Sequence, residues 1–140
     1  MAFEVSKVDI WVGELPDRPR ALLAKLEVLA EAGANLEFVI ARRDKRGKAV
    51  VFMAPVEGAA QIRAAEEVRL KRANNMHSLR IEGPNQTGLG ERITRALADE
   101  GLNLRGLSAA AIGGRSVTYL RFANAAALRT ARQALRREFR

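Results

Sequence analysis

Apolar positions along the chain fall into two periods. Leu22, Leu26 and Leu29, and again Leu89, Ile93 and Leu97, keep the spacing that lays one stripe along a helix. Around them lie short runs rich in Val, Ile, Phe, Tyr and Leu that read as strands. In the first half these are residues 8–15, 36–41 and 49–54; in the second they are 79–82, 104–109 and 117–122. Gly33 and Gly101 stand where a left-handed residue ends a helix. The turns DKRGK and GGRS return the chain between the second and third strands of each half. Further helices are predicted over 58–67 and 125–137, with a short fourth strand around 68–71 in the first half. The second half ends in or just after its last helix, so its own fourth strand is expected to be absent or very short.

The two halves are copies. A shift of 68 positions, without a gap, aligns Glu14 with Glu82, Pro16 with Pro84, Leu29 with Leu97, Gly33 with Gly101, Asn35 with Asn103 and Leu36 with Leu104. DRPRALLAKLEVLAEAGANL at 17–36 thereby matches NQTGLGERITRALADEGLNL at 85–104. Self-similarity of this kind argues for one fold unit used twice. Strand, helix, strand, strand, helix and a last strand is the split βαβ order of ferredoxin-like folds. The expected class is therefore α+β: two tandem ferredoxin-like βαββαβ units, residues 1–72 and 73–140, with antiparallel sheets and helices on one face.

The faces of the two first strands differ. Ile10 and Val12 alternate with Trp11 and Gly13, so both sides of that strand are apolar, whereas the aligned second strand sets Ser78 and Arg80 against Leu79 and Ile81. The first sheet's helix-free face is expected to be buried against another subunit or element. Trp11, aligned with Leu79, is expected in the helix-side core.

Each half places a polar loop between first strand and first helix, ELPDRPR and EGPNQTG. Asp/Asn-x-Pro/Thr-Gly-x-Leu, a helix, and then Ala-Glu-x-Gly-x-Asn-Leu resembles the ACT domain, a small-molecule sensing module attached to enzymes of amino acid metabolism. The resemblance covers nearly the whole chain as two tandem copies. It implies side-by-side pairing of domains into a wider sheet, and an amino acid bound where the loop of one domain faces the next. The positions it marks are Asn85, Gln86, Thr87, Gly88, Leu89 and Gly90, with Asn103 and Leu104 at the pocket edge; their counterparts in the first half include Asp17, Arg18 and Asn35. Arg20 stands where the family has glycine, whereas Gly88 keeps it, so the second loop is the expected site. Gln86 and Thr87 replace the family's basic residue and proline.

The chemistry of the loop suits that implication. Free amides and the positive end of a helix dipole attract a carboxylate, and a glycine lets a ligand approach the backbone. Asp17 and Asn85 either cap their helices, with Pro19 in the first turn, or accept a hydrogen bond from the ligand's ammonium group; a cap can also touch a ligand. Asn35 and Asn103 follow a helix-ending glycine and either complete that turn or border the pocket. The crowding of Gly83, Gly88 and Gly90 exceeds what a cap requires.

Composition narrows the function classes. The chain has no cysteine, which removes disulfides, thiol nucleophiles and cysteine-held metals, and His77 is its only histidine, expected at a strand start. No pair of carboxylates and no nucleophile with a base stands at readable spacing, so no catalytic role, cofactor or metal is expected. The N-terminus has no apolar signal segment, and no apolar run approaches the roughly 18 residues a membrane span needs; a cytoplasmic protein is expected. The net charge of +8 is uneven: residues 1–70 hold 11 basic and 11 acidic residues, and residues 71–140 hold 13 and 5. Such an excess attracts polyanions, and a basic ferredoxin-like nucleic-acid-binding protein is the alternative reading. Against it, Lys48 and Val50 occupy the stacking positions of an RNA-binding pattern that begins at Arg46-Gly47. The expected partners are an amino acid ligand, a second copy docked through sheet or helix packing, and, for a detached regulatory subunit, an enzyme of amino acid metabolism. Nucleic acid and membrane are not expected.

Overall fold

The apolar run that begins the chain divides between two sheets. In the computed structural model, which describes residues 2–140, β1 (Glu4–Val8) and β2 (Trp11–Pro16) are separate strands. The chain forms two units, one of Asp9–Ala73 and one that joins the N-terminal residues through Val8 to Asn74–Arg140. The first contains β2, α1 (Ala21–Glu31), β3 (Phe38–Arg43), β4 (Lys48–Ala54), α2 (Gly58–Glu67) and β5 (Lys71–Arg72), in the antiparallel sheet order β3-β4-β2-β5. The second contains β6 (His77–Pro84), α3 (Leu89–Asp99), β7 (Gly106–Ile112), β8 (Arg115–Phe122) and α4 (Ala125–Glu138), in the antiparallel order β1-β6-β8-β7.

These orders are the same once β1 takes the place of β5. The expected α+β architecture of two four-stranded antiparallel sheets, each with two helices, is present. The missing fourth strand of the second repeat is supplied from the other end of the chain: Val5 pairs with Ile81 and Lys7 with Leu79. Physically, β6 would otherwise be an edge with unpaired backbone groups and an uncovered side of its core. The fourth strand expected at 68–71 is shorter and later. Val68 caps α2, Arg69 turns the chain at φ 63, and only Lys71 and Arg72 pair with β2.

Each unit has one core on the helix side of its sheet. In the 9–73 unit Trp11, Leu15, Val51 and Met53 meet Leu29 of α1 and Ala64 and Ala65 of α2. Trp11 is 3% exposed, as its alignment with Leu79 leads one to expect. In the other unit Val5, Leu79, Ile81, Leu120 and Phe122 meet Ile93 and Leu97 of α3 and Leu128 and Leu135 of α4. On the face away from the helices, Val12, Phe52 and Ile40 lie in register in the first sheet, and Ser6, Arg80, Tyr119 and Ser108 in the second. Val12 and Phe52 are half-buried and Ile40 is exposed.

Both first helices begin and end alike. Gly33 and Gly101 are left-handed, and the amides of Ala34 and Leu102 reach back to the carbonyls of Leu29 and Leu97, a paired Schellman ending. At the other end the capping residues are Arg20 and Gly88, at φ 72 and 80, and neither helix has a side-chain cap. The capping roles considered for Asp17 and Asn85 are therefore not taken, because each lies three residues before its cap. Glycine adopts this conformation freely, whereas an L side chain costs roughly 1–2 kcal/mol there. Arg20→Gly is expected to stabilise the 9–73 unit by about 1 kcal/mol. The chain's one tryptophan, Trp11, lies in that core, so its fluorescence during urea unfolding reads the change directly. An unchanged midpoint would contradict the assigned strain.

Candidate binding site at the second strand-to-helix turn

β6 delivers the chain into the turn, and three contacts hold it there. The amide of Asn85 donates to the carbonyl of Gly114 at 2.8 Å, tying the loop to the β7–β8 turn. The amide of Leu89 donates to Gln86 at 3.4 Å, and that of Arg92 to Gly88 at 3.0 Å, the first full bond of α3. Leu89 itself is 8% exposed and anchors the turn in the core. The amides of Gly90 and Glu91 have no acceptor among the described residues, as expected in the first turn of a helix.

Beside this turn lies a groove of about 310 Å³, floored by α3 and closed at one end by α4. Gln86, Thr87 and Gly88 line it from the loop, Glu91, Arg92, Arg95 and Asp99 from successive turns of α3, and Glu138 from α4. Its walls thus carry both signs of charge. Arg92 is the centre: Nε donates to Glu138 Oε1 at 2.7 Å, a terminal nitrogen to the Glu138 carbonyl at 2.7 Å, and the other to Gln86 Oε1 at 3.4 Å. Its guanidinium also lies 4.4 Å above the Phe139 ring. Arg95 pairs with Glu91 one turn earlier. At the end of β6, Glu82 accepts from Arg115 at 2.9 Å and Arg80 at 2.8 Å, and these two bonds hold its carboxyl below the usual range.

The sequence-marked residues separate by role. Gln86, Thr87 and Gly88 line the groove, and Asn85 and Gly90 are exposed next to it, while the Leu89 side chain belongs to the core. Asn103 is exposed after the helix-ending turn and Leu104 packs partly on the core. In the other unit Asp17 pairs with Arg43 Nε at 2.7 Å and its amide donates to Gly47, the counterpart of the Asn85 bond. Arg18 and Asn35 are exposed. His77 opens β6, half-buried opposite Phe122.

The glycines also divide. A Cβ on Gly83 would lie 2.2 Å from the Phe3 ring, so this residue makes room for the N-terminal segment. Gly88 supplies the left-handed cap; Gly90 meets nothing within 4 Å. Sequence reasoning missed Arg92, Arg95, Asp99 and Glu138. Under the 68-residue shift their first-repeat counterparts are Ala24, Glu27, Glu31 and Leu70, so the repeat keeps only the acid at 99 and gave no sign of the arginines or of Glu138. The spacing 88, 92, 95, 99 along one helical face was the available clue. Among the described residues no group of acidic and histidine side chains is arranged to hold a metal, and no helix is long and apolar enough to cross a membrane.

No family model matches the chain, and no curated protein matches it. Solved structures do. A protein from Bacteroides thetaiotaomicron aligns at TM-score 0.75 and 14% identity, over 96% of this chain and 90% of that one. The ligand-free regulatory subunit of aspartate kinase from Thermus thermophilus aligns at 0.60 and 18%, over 96% of this chain and 97% of that one. E. coli aspartokinase III in complex with aspartate and ADP aligns at 0.57 and 12%, over 97% of this chain but 32% of the enzyme. At these identities the likeness is one of fold: the chain has the ferredoxin-like, ACT-like α+β fold of those structures.

Proposed function

We propose that this chain is a non-catalytic regulatory protein that binds a free amino acid at the turn between β6 and α3. The observation that carries the reading is the match in fold to a regulatory subunit of aspartate kinase over nearly the full length of both chains. The groove supports it with donors and acceptors for both ends of a zwitterion. The unbonded amide of Glu91 suits a carboxylate, and Glu138, in the same lining, has a second carboxylate oxygen for an ammonium group. A detached regulator also needs partners. Exposed edge strands β3 and β7, with Val39, Ile40, Leu107 and Ile112 on the surface, support pairing with a second copy into a wider sheet. An enzyme of amino acid metabolism is the partner through which the signal would leave.

The test is a thermal-shift series across the amino acids at millimolar concentration. A ligand present at about 100 times its Kd stabilises the native state by roughly 2.7 kcal/mol, so at least one amino acid is expected to raise the midpoint by several degrees. Gly88→Arg, which fills the groove mouth, is expected to abolish the shift. Asn85→Asp, which sets a negative charge beside the carboxylate, is expected to weaken it. A flat series, or a shift that survives Gly88→Arg unchanged, removes the proposal.

A further inference from the structure

We propose that the outer edge of β1, with the arginine stripe of α4 beside it, is a docking site for an extended acidic segment of a partner protein, which adds to the sheet as a fifth strand. The first observation is topological. β1 pairs only with β6 and ends its sheet, so its outer backbone groups have no strand partner among the described residues; the Val5 carbonyl is held by the Arg136 side chain, which an added strand would displace. It carries neither a proline nor a bulge to block addition.

The second observation is the charge alongside. α4 runs antiparallel to β1: Phe139 meets the Phe3 ring at 4.5 Å, and Arg136 donates to the Val5 carbonyl at 3.3 Å, which carries the Arg132 and Arg129 end of the helix toward Lys7. At 100° per residue, Arg129, Arg132 and Arg136 fall within an arc of about 60°, a stripe roughly 10 Å long, and Arg140 follows just past the end of the helix. Nothing neutralises it. The helix's one acid, Glu138, is taken by Arg92, and Arg129 and Arg140 have no ion-pair or hydrogen-bond partner among the described residues. The Nε of Arg132 is buried without a partner. Lys7 shares the helix-side face with Val5, whereas Glu4 points to the opposite face with Glu82. The charged residues on the helix-side flank of the edge are therefore all basic. The N-terminal residues and 74–140 together hold 12 basic and 6 acidic residues, and four of those acids, Glu82, Glu91, Glu100 and Glu138, already sit in ion pairs.

An edge and a flank together select a polypeptide over other polyanions. Alternate side chains of an added strand would point at the arginines about 6.7 Å apart, close to the roughly 6 Å between successive turns of the stripe, while its backbone completes the ladder. A nucleic acid has no use for the ladder and gains most from exposed aromatic platforms. Here Phe139 is 4% exposed and Phe3 half-buried. This site does not depend on amino acid binding at the groove.

The probe is a fluorescent peptide of about eight residues alternating Glu with Val, titrated into the intact chain and followed by anisotropy. Binding is expected to weaken with salt, to protect the β1 amides from hydrogen exchange, and to fall about tenfold in Arg129→Glu with Arg140→Glu. The milder Arg129→Gln with Arg140→Gln, which adds no new charge, is expected to give a smaller loss in the same direction. Three results would overturn the proposal: no binding, equal binding by the same peptide with alternate valines replaced by proline, or tighter binding of a single-stranded oligonucleotide.

Discussion

Deleting residues 2–8 is expected to unfold most of the 74–140 unit while β2 and β4 keep their protection. The segment places Val5 in the core at 6% exposure and stacks Phe3 against Gly83 and Phe139. It also pairs residue by residue with β6 from Glu4↔Glu82 to Val8↔Ser78. Burial of Phe and Val side chains contributes about 1.5–3 kcal/mol each. A unit of this size has a total stability of roughly 4–11 kcal/mol. The loss of two apolar anchors, one ladder and one covered edge is of the same order as the whole. Hydrogen exchange resolves it by element: amides of β6, β8 and α4 should lose protection. Those of β2 and β4 answer to a separate core built on Trp11, Leu15, Val51 and Met53. Protection retained across β6 and β8 would show that β1 is dispensable.

Two glycines on either side of one loop, Gly83 in β6 and Gly90 in α3, should respond with opposite sign. In Gly83→Ala the new methyl would meet Phe3 carbons at 2.2, 2.6 and 2.7 Å, so the ring must leave its place. Overpacking of this kind costs about 1–3 kcal/mol, and full loss of a packed Phe about 3–5. Gly90→Ala meets open space in the first turn of α3 and is expected to stabilise by up to about 1 kcal/mol, the helix-propensity difference. Urea unfolding followed by hydrogen exchange at β6 and α3 measures both. The mechanism is specific: in a Phe3→Ala background Gly83→Ala should cost little, because the two residues share one contact. An equal cost in both backgrounds would refute it.

Much of the architecture was legible in the residues. The 68-residue repeat, the apolar stripes of both first helices and the glycines at 33 and 101 depend on local periodicity and backbone conformation, and these are properties of short stretches. α2 falls on 58–67 as expected, and α4 runs one residue past the expected end. β3 and β7 begin two residues late, because Leu36 and Leu104 are spent packing their connections onto the cores rather than in the ladder. The left-handed cap at position 20 was hidden by its arginine, since only the second repeat keeps the glycine that announces the conformation.

The candidate site was legible in part. The loop at 85–90 is marked by its glycines and by the repeat, yet the reason for Gly83 lies 80 residues away at Phe3. The ionic wall of the groove was invisible for the same kind of reason. Arg92 is defined by Glu138, which reaches it from the end of α4.

The sequence by itself determined the repeat and every element but β1, which the reading of one strand at 8–15 missed, because apolar spacing and turn chemistry act over a few residues. Only the tertiary structure decided which strand completes which sheet. Five residues near the start of the chain carry no local sign of their partner, and they settle on β6, whose edge and the core beneath it would otherwise be uncovered.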